Sequence, residues 1–441
     1  MLLEIVTAHK RGEPVGIHSI CSAHPFVLEA AVQQALADGS PLLVESTSNQ
    51  VNQEGGYTGM TPADFHAYLL GIADRFGFPR DRLILGGDHL GPYPWRHQPA
   101  ETATAMARAL VRDCVLAGYT KLHLDASMPC AGDPPDLPLD RALAADRIAD
   151  LCQAAEQVAH RPLPFYVIGA EVPLPGGARR SNEKPAVTTV EDARETTELT
   201  RRAFRRRGLD AAWERVVALV VQPGVEFGDD ALFEYDRLAA APLSRFIEAH
   251  DGLVFEVHST DYQPRDALKR LVEDHFAILK VGPALTFAFR EAVFALAMIE
   301  AEWPPGREGI ELSQIRQVLD SAMLARPAYW QDYYAGSEPH LRFARRYSLS
   351  DRSRYYWPDP SVQESLARLL ANLSEQPIPL TLLSQFLPVQ CERVRSGLVP
   401  NVPRDLIVDR IRSVLADYAY ACGYRTRPDG RGGATASVGR G

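Results

Sequence analysis

The 441-residue sequence contains no C-x-x-C pair, and its six cysteines are scattered without a regular framework. In a chain of this length, isolated cysteines are typical of reduced thiols rather than of disulfides or a zinc knuckle. Long apolar runs are also missing. None approaches the length of a membrane span, and the N-terminal segment meets Glu4 before any apolar core, which argues against a signal peptide. We therefore expect a cytoplasmic protein that does not cross a membrane.

An excess of positive charge is absent as well. The chain has 47 Lys and Arg against 56 Asp and Glu, a formal net charge of -9 at pH 7. This balance argues against nucleic acid or an anionic membrane as partner, while a local basic pocket for phosphate stays compatible with it. Hydrophobic residues make up 46% and charged residues 23%, the composition of a globular protein with a sizeable core.

Short β-type runs alternate with amphipathic helical segments from Val15 to Val281. This alternation implies parallel pairing, because parallel strands need a crossover connection. Eight units in this stretch fit the roughly 250 residues of a (β/α)8 TIM barrel. A doubly wound open sheet is the competing fold, but no G-x-G-x-x-G follows the first run. The predicted strands are Val15–Ile20, Leu42–Glu45, Leu83–Gly87, Lys121–Asp125, Phe165–Ala170, Val216–Gln222, Leu253–His258 and Phe276–Val281. The predicted helices between them are Pro25–Asp38, Thr61–Phe76, Ala100–Ala117, Asp140–His160, Val190–Arg207 and Pro264–Asp274.

The chain changes character after the eighth predicted strand. A long helix is predicted over Thr286–Glu302, followed by Pro- and aromatic-rich stretches and by helices near Ser361–Leu373, Leu380–Ser396 and Pro403–Tyr420. We predict a barrel over residues 1–300 and a C-terminal α-helical extension, packed on the barrel, over residues 301–422. Residues 423–441 are rich in Gly and Arg without apolar periodicity, and we expect a disordered tail.

Ionisable residues are concentrated where the predicted strands end, which is where barrel enzymes carry their reactive groups. Period-two alternation puts Lys121, His123 and Asp125 on one face of the fourth strand, and Glu256 and His258 on one face of the seventh. Burying such groups side by side is costly unless they are paired or hold a cation. We therefore favour a metal site over a set of structural histidines, and mixed His and carboxylate ligands suit zinc, manganese or cobalt.

Asp88 and His89 follow the third predicted strand. Neighbouring side chains diverge on a regular strand, but just past a strand end both can reach the barrel mouth, so we predict His89 as a ligand and Asp88 as general acid/base. Lys280 could form a Schiff base or stay protonated and bind a phosphate or hydroxyl. The second alternative is favoured, because its charged neighbours offer no apolar pocket to lower its pKa.

Two further segments have open interpretations. The loop over residues 46–59 is dense in amides and hydroxyls, which suits a polyol ligand but also an ordinary polar loop. The stretch Arg345–Pro360 concentrates arginine and tyrosine, including Arg352 and Arg354. It is compatible with a phosphate clamp and with a packing surface of cation–π contacts.

Long motifs, in the same order along the chain, resemble the GatZ/KbaZ family. They are VESTSNQVNQEGGYTGMTPADF (44–65), LGGDHLGP (85–92), LHLDASM (122–128), VQPGVEF (221–227), HSTDYQ (258–263), LKVGPALTF (279–287) and YSLSDR (347–352). The similarity runs from near Met1 to about Gly423.

The resemblance implies a (β/α)8 fold and one of two functions. The Z subunit of tagatose-bisphosphate aldolase is a non-catalytic partner of the catalytic subunit. Other members are enzymes that interconvert D-tagatose 6-phosphate and D-fructose 6-phosphate by epimerising C4.

The density of ionisable groups at the predicted mouth favours the enzyme, acting by metal-assisted retro-aldol and aldol steps on a ketose phosphate. The alternatives are an accessory subunit of a class II aldolase and an aldolase acting directly on tagatose 1,6-bisphosphate; a homo-oligomer is compatible with each. Zinc is the first choice of metal, with manganese or cobalt as substitutes. The predicted site residues are the ligands His89, Glu171 and His258, the acid/base residues Asp88 and Asp125, and the substrate-binding residues Asn49, Gln50, His123, Gln222, Glu226, Lys280, Arg352 and Arg354.

Overall fold

A closed eight-stranded parallel barrel forms the centre of the protein. The computed structural model describes residues 1–134, 139–169, 184–303 and 309–424. The strands are β1 (Ile17–Ile20), β2 (Leu42–Thr47), β3 (Leu83–Leu90), β4 (Lys121–Asp125), β5 (Phe165–Gly169), β6 (Val216–Val220), β7 (Glu226–Phe227), β8 (Leu232–Phe233), β9 (Val254–Val257) and β10 (Ile278–Val281). The barrel order is β1-β2-β3-β4-β5-β6-β9-β10, and β10 pairs back with β1. The short strands β7 and β8 form a separate antiparallel pair. The predicted (β/α)8 barrel is confirmed.

Helices surround the barrel and continue beyond its last strand. Those up to the last strand are α1 (Leu2–Lys10), α2 (Pro25–Asp38), α3 (Pro62–Arg75), α4 (Ala100–Leu116), α5 (Arg141–Glu156), α6 (Val190–Arg206), α7 (Asp210–Trp213), α8 (Arg237–Glu248) and α9 (Arg265–Glu273). Those after it are α10 (Pro283–Glu302), α11 (Ile315–Ala325), α12 (Glu338–Tyr347), α13 (Pro360–Ser374), α14 (Leu380–Phe386), α15 (Pro388–Arg395) and α16 (Pro403–Ala421). Among the described helices, none combines the length and the apolar character needed to cross a membrane.

The predicted elements overlap the observed ones, with two instructive differences. β3 does not stop at Gly87 but continues to Leu90 through a break in its register with β4. The single helix predicted over Leu380–Ser396 is wrong, because α14 ends at Phe386 and α15 begins at Pro388. Proline lacks the amide N–H that would continue the first helix, but its fixed φ suits the first position of a new one.

The two ends of the barrel are covered by different parts of the chain. Leu2, Ile5 and Val6 of α1 join an apolar cluster with Ile17 and Leu43 from the starts of strands, so α1 covers the N-terminal end. The C-terminal end, where the strands finish, is left to polar groups. This separation places the packing at one end and the ionisable residues at the other.

The helices after the last strand pack on the barrel. α16 contacts α2, α9 and α10, and α10 contacts α2, α11, α13 and α14. Tyr418 of α16 donates a hydrogen bond of 2.8 Å to the carbonyl oxygen of Thr260, just after β9. The predicted division at residue 300 stays a prediction. α10 is continuous through that point and ends at Glu302. Of the predicted tail, residues 425–441 lie outside the described part of the chain.

The packing of α16 leads to a stability prediction. Leu415 of α16 is fully buried, whereas Leu116 at the end of α4 is 62% exposed. We expect Leu415→Ala to lower the free energy of unfolding by about 2–5 kcal/mol, because it leaves a cavity between packed helices. The matched control Leu116→Ala should change it by less than about 0.5 kcal/mol. Urea denaturation followed by circular dichroism measures both, and equal effects would contradict this account of the packing.

Candidate functional site

The irregular end of β3 brings Asp88 and His89 to the same side of the barrel mouth. His89 has a φ of 48°, in the left-handed region that residues other than glycine seldom adopt. Two residues later, a Cβ at Gly91 would lie 1.6 Å from the carbonyl oxygen of Asp125, so only glycine fits where β3 passes the end of β4. The distortion therefore turns a pair of neighbouring side chains, which would diverge on a regular strand, toward one site.

Three imidazoles form a triangle at this end of the barrel. The ring centroids of His89, His123 and His258 lie 5.1, 5.0 and 4.7 Å apart. A carboxylate holds one nitrogen of each ring: Asp125 Oδ2 is 2.8 Å from His89 Nδ1, Asp88 Oδ1 is 2.9 Å from His123 Nδ1, and Glu256 Oε1 is 3.1 Å from His258 Nε2. Carboxylates in this position orient metal-binding histidines and leave the opposite nitrogen for the ion.

His123 shows most directly that a partner fits here. It is fully buried, and its Nε2 has no hydrogen-bond partner among the described residues. Its Nδ1 lies 2.9 Å from Asp88 Oδ1 and 3.1 Å from the amide nitrogen of His89, and donation from Nδ1 to the carboxylate leaves Nε2 unprotonated and able to bind an ion. A buried ring nitrogen without a partner is costly unless something binds it.

A buried network of ion pairs lies beside the histidines. Lys121 Nζ contacts Glu45 and lies 2.6 Å from Glu256 Oε2. Lys280 Nζ also contacts Glu45, and lies 2.9 Å from Asp88 Oδ1 and 3.6 Å from Glu256 Oε1. All five side chains are almost completely buried. The network joins β2, β3, β4, β9 and β10.

The cluster carries more negative than positive charge. Its four carboxylates (Glu45, Asp88, Asp125 and Glu256) face two ammonium groups (Lys121 and Lys280), which leaves two negative charges when the imidazoles are neutral. Buried charge without a counter-ion is strongly unfavourable. A divalent cation, or protonated histidine, is required to balance it.

The pKa values of the cluster report this negative potential. Burial by itself lowers the pKa of His89, but Asp88 and Asp125 outweigh it and raise the pKa to about 9. For Asp88, burial raises the pKa, whereas the neighbouring His89 and His123 bring it well below the ordinary value. Asp88 is thus a carboxylate at neutral pH. The potential that would protonate His89 would equally attract a metal ion.

The donor set suits a divalent metal ion. One potential ligand atom from each of Asp88, His123, Glu256 and His258 lies within 4.8 Å of the others. Mixed imidazole and carboxylate donors bind zinc and neighbouring divalent ions. His89 is not among these four, but its ring adjoins that of His258 at 4.7 Å. The predicted ligand Glu171 lies outside the described residues.

A cavity opens above the cluster and collects many of the predicted site residues. Tyr57, Asp261 and Tyr355 contribute to its walls beside them. Asp125 lies behind His89 and also accepts hydrogen bonds from the amide and hydroxyl of Ser127, at 2.9 and 2.6 Å. The predicted residues that line the cavity are Asn49, Gln50, Asp88, His89, His258, Lys280 and Arg354.

Four predicted substrate-binding residues are not among those lining the described cavity: the fully buried His123, and three residues with other contacts. Gln222 accepts a hydrogen bond of 2.8 Å from the amide of Gly224. Glu226 is buried in β7, and burial raises its pKa to about 7. Arg352 donates to a backbone carbonyl, and its guanidinium carbon lies 3.5 Å from the ring centroid of Tyr333. The structure thus separates Arg352, which packs on aromatic rings, from Arg354, which reaches the cavity.

Lys280 is an ion-pair partner in this site. Burial lowers its pKa to about 8, which corrects the sequence-based expectation that nothing in its surroundings would do so. Its contacts with Glu45 and Asp88 stabilise the charged ammonium form. We take Lys280 as protonated, because carboxylates touch its nitrogen directly.

Sequence reasoning missed two carboxylates with structural roles here. Glu45 pairs with both buried lysines, and its signal was an acid directly after the apolar run Leu42–Val44. Asp261 accepts hydrogen bonds from the amides of Gly282 and Ala284, at 3.0 and 2.8 Å, and so caps α10. No local signal identifies that cap, because the acid precedes the helix by about twenty residues.

Comparison with solved structures finds one protein with high similarity to this chain and others with low similarity. A protein from Sinorhizobium meliloti 1021, described as a probable tagatose 6 phosphate kinase, is 48% identical, with 92% of this chain and 100% of that chain covered and a TM-score of 0.84. The YdjI aldolase from Escherichia coli K12 is 11% identical, with 81% and 95% covered and a TM-score of 0.44. The fructuronate-tagaturonate epimerase UxaE from Cohnella laeviribosi is 11% identical, with 93% and 82% covered and a TM-score of 0.47.

The family assignment covers nearly the whole chain. The model of one protein family matches residues 2–423, so that all of the barrel and the helices through α16 fall inside it. The matched range therefore spans the histidine triangle and the ion-pair network. The chain belongs to the family described as D-tagatose-1,6-bisphosphate aldolase subunit GatZ/KbaZ-like.

Proposed function

We propose that this chain is a metal-dependent epimerase that inverts C4 of a ketose phosphate and converts D-tagatose 6-phosphate into D-fructose 6-phosphate. The observation that carries the proposal is the triangle of carboxylate-held histidines in a buried cluster with excess negative charge. A purely structural cluster would have no need of an unpartnered His123 Nε2. The substrate class is supported by the family and by the sugar phosphate named for the Sinorhizobium meliloti protein.

The position of the inverted carbon limits the mechanism. C4 of a 2-ketose is not adjacent to the carbonyl, so simple enolisation cannot invert it. In the proposed route a base removes the proton of the C4 hydroxyl, the C3–C4 bond breaks, and its electron pair moves into an enediolate over C2 and C3. The aldehyde fragment turns, the C3–C4 bond forms again on its other face, and the proton returns to the C4 oxygen. Atoms and charge balance without an oxidant.

The proposed ion site uses the histidine triangle. His89 and His258 are ligands in the sequence prediction, and His123 joins them because its free Nε2 is buried beside their rings. When bound, a divalent cation would act as a Lewis acid that polarises the C2 carbonyl and stabilises negative charge near it. Zinc is the first choice and manganese or cobalt the substitutes. Glu171 stays a predicted ligand outside the described residues.

Asp88 is the proposed acid/base residue. It lines the cavity and is a carboxylate at neutral pH, so it can take a hydroxyl proton and return it. Its neighbour Lys280, 2.9 Å away, would stabilise developing negative charge on the substrate. Asp125 was the other candidate, but unlike Asp88 it is not among the residues that line the described cavity, and it binds His89 and Ser127.

An accessory role is the second candidate, favoured by the word subunit in the family description. A barrel that only stabilises a class II aldolase would bind that partner and lack turnover of its own.

The purified chain can be assayed alone with D-tagatose 6-phosphate and zinc, manganese or cobalt, with fructose 6-phosphate detected by a coupled isomerase. Turnover supports the enzyme. Folded protein that binds the sugar phosphate, never turns it over and copurifies with an aldolase in fixed ratio supports the accessory role. Release of a triose phosphate from tagatose 1,6-bisphosphate would instead indicate an aldolase.

Removal of the metal tests the proposed ion site. We expect a chelator to abolish epimerisation and added zinc to restore it, because the carbonyl loses its Lewis acid. His89→Asn removes one imidazole, and asparagine tolerates the positive φ of this position. We expect the variant to lose both bound zinc, measured by mass spectrometry of the metal, and turnover.

The exposed His97 provides the matched control, since His97→Asn lies outside the cluster and should keep both properties. Full turnover by metal-free His89→Asn protein would contradict the proposal.

Substitution of Asp88 separates the acid/base role from metal binding. We expect Asp88→Asn to keep its zinc and its affinity for the sugar phosphate, while kcat falls by at least about a hundredfold, because the amide cannot accept the hydroxyl proton. Steady-state kinetics and metal analysis on the same preparation measure both effects. Loss of zinc together with turnover would show that Asp88 is a ligand, and unchanged kcat would exclude it as the base.

A further inference from the structure

A second chamber adjoins the cavity above the histidine cluster. The two share part of their walls, including Cys21, Gln50, Tyr57 and Arg354, so a ligand can extend from one into the other. The second chamber lies between the loop after β1, the start of α10 and the segment that follows α12. It has a different chemistry from the first.

The lining residues of the second chamber include no carboxylate and one permanent cation, the guanidinium of Arg354. Arg354 donates to the carbonyl oxygens of Ser350 and Asp351, at 2.5 and 3.1 Å, and to the hydroxyl of Tyr355 at 3.0 Å. These hydrogen-bond partners are neutral, and although burial by itself lowers the pKa of the guanidinium, nearby groups that include the Asp351 carboxylate raise it. A partly buried guanidinium whose direct hydrogen-bond partners are neutral keeps its charge available for an anion.

Two side chains that line this chamber carry buried hydrogen-bonding groups without described partners. Trp357 is fully buried, lines the chamber, and its Nε1–H has no acceptor among the described residues. Both ring nitrogens of His24 are likewise buried without a described partner. The centroids of the two rings lie 6.4 Å apart, and the ring of Phe289 packs against both, at 4.2 Å from His24 and 4.8 Å from Trp357. Burial lowers the pKa of His24 to about 3, so its ring is neutral and carries one N–H donor.

A helix N-terminus points to the same place. The 14-residue helix α2 begins at Pro25, and no side chain caps it at His24. Ser22, His24 and Pro25 all line the chamber. Unsatisfied amides and the helix dipole favour an anion at such an end. The start of α10 differs, because Asp261 already accepts from its amides.

We propose that the second chamber binds the phosphate group of the ketose phosphate, with the guanidinium of Arg354, the indole N–H of Trp357, the imidazole of His24 and the start of α2 around it. The sugar then extends into the first cavity, with its carbonyl toward the histidine cluster. This proposal rests on the function proposed above and identifies where that substrate is held. It also assigns a role to the hydrogen-bond donors of the second chamber, which take no part in the proposed epimerisation steps. Phosphate is the chemistry that fits, because every polar group that lines the chamber is a donor or neutral.

Trp357→Phe is the sharpest test, because it removes the N–H and keeps an aromatic ring. Affinities of the zinc-loaded protein for D-tagatose 6-phosphate, D-tagatose and inorganic phosphate are measured by calorimetry, with displacement for weak ligands. We expect the affinity for D-tagatose 6-phosphate and for phosphate to fall at least about tenfold, and that for D-tagatose to stay within about twofold. The control Trp213→Phe, on the outer face of the barrel, should change none of them.

Arg354→Met provides a second variant, with the exposed Arg326→Met as its control. We expect at least about a hundredfold loss for the two phosphate ligands, and again little change for the free sugar. Equal losses for D-tagatose 6-phosphate and D-tagatose would overturn the proposal, since the chamber would then hold sugar carbons. Unchanged affinities in both variants would also overturn it.

Binding separates this proposal from the proposed function. Phosphate-dependent binding without turnover in any metal would leave the chamber assignment in place and remove the epimerase. Turnover by a protein whose affinity depends neither on the phosphate group nor on either substitution would support the epimerase and remove the chamber assignment.

Discussion

The buried contact between Glu45 and two lysines is the constraint on which the candidate site depends. Glu45 on β2 meets Lys121 on β4 and Lys280 on β10, and both lysines also reach Glu256 on β9. Ion pairs buried in this way contribute little to stability compared with apolar residues of the same volume, because their desolvation is costly. The main effect of such a network is therefore to fix the positions of the side chains that it joins. It holds Asp88 and Glu256, which in turn hold the imidazoles of His123 and His258.

The net negative charge of the histidine cluster gives a physical reason for a cation to be held among these buried residues. Four carboxylates and two ammonium groups would leave the cluster negative, and the raised pKa of His89 shows how strongly it attracts positive charge. A resident divalent cation would neutralise this excess and occupy ring nitrogens that are otherwise idle. The neighbouring chamber has the reverse character, with one guanidinium and no carboxylate on its walls. A ligand with a polar carbonyl at one end and a phosphate at the other matches this change along the cavity.

The helical extension takes part in forming the mouth. Arg354 and Trp357 come from the segment between α12 and α13, and Asp351 anchors that segment by accepting from Thr286 and Arg290 of α10, at 2.6 and 2.9 Å. α10 itself packs on α2 and α16. The cation of the second chamber is thus supplied by a part of the chain outside the barrel strands.

What the sequence determined by itself was the barrel and the composition of its mouth. Alternation along each strand depends only on the period of extended backbone, so the inward face of Lys121, His123 and Asp125 could be predicted, and α2 was predicted with its observed ends. What only the tertiary structure decided were contacts between distant segments. The bulge that turns His89, the pairing of Glu45 with two lysines, and the opposite orientations of Arg352 and Arg354 are examples. Local periodicity cannot set these, because each depends on which neighbour fills the space beside the residue after the strands and helices have packed.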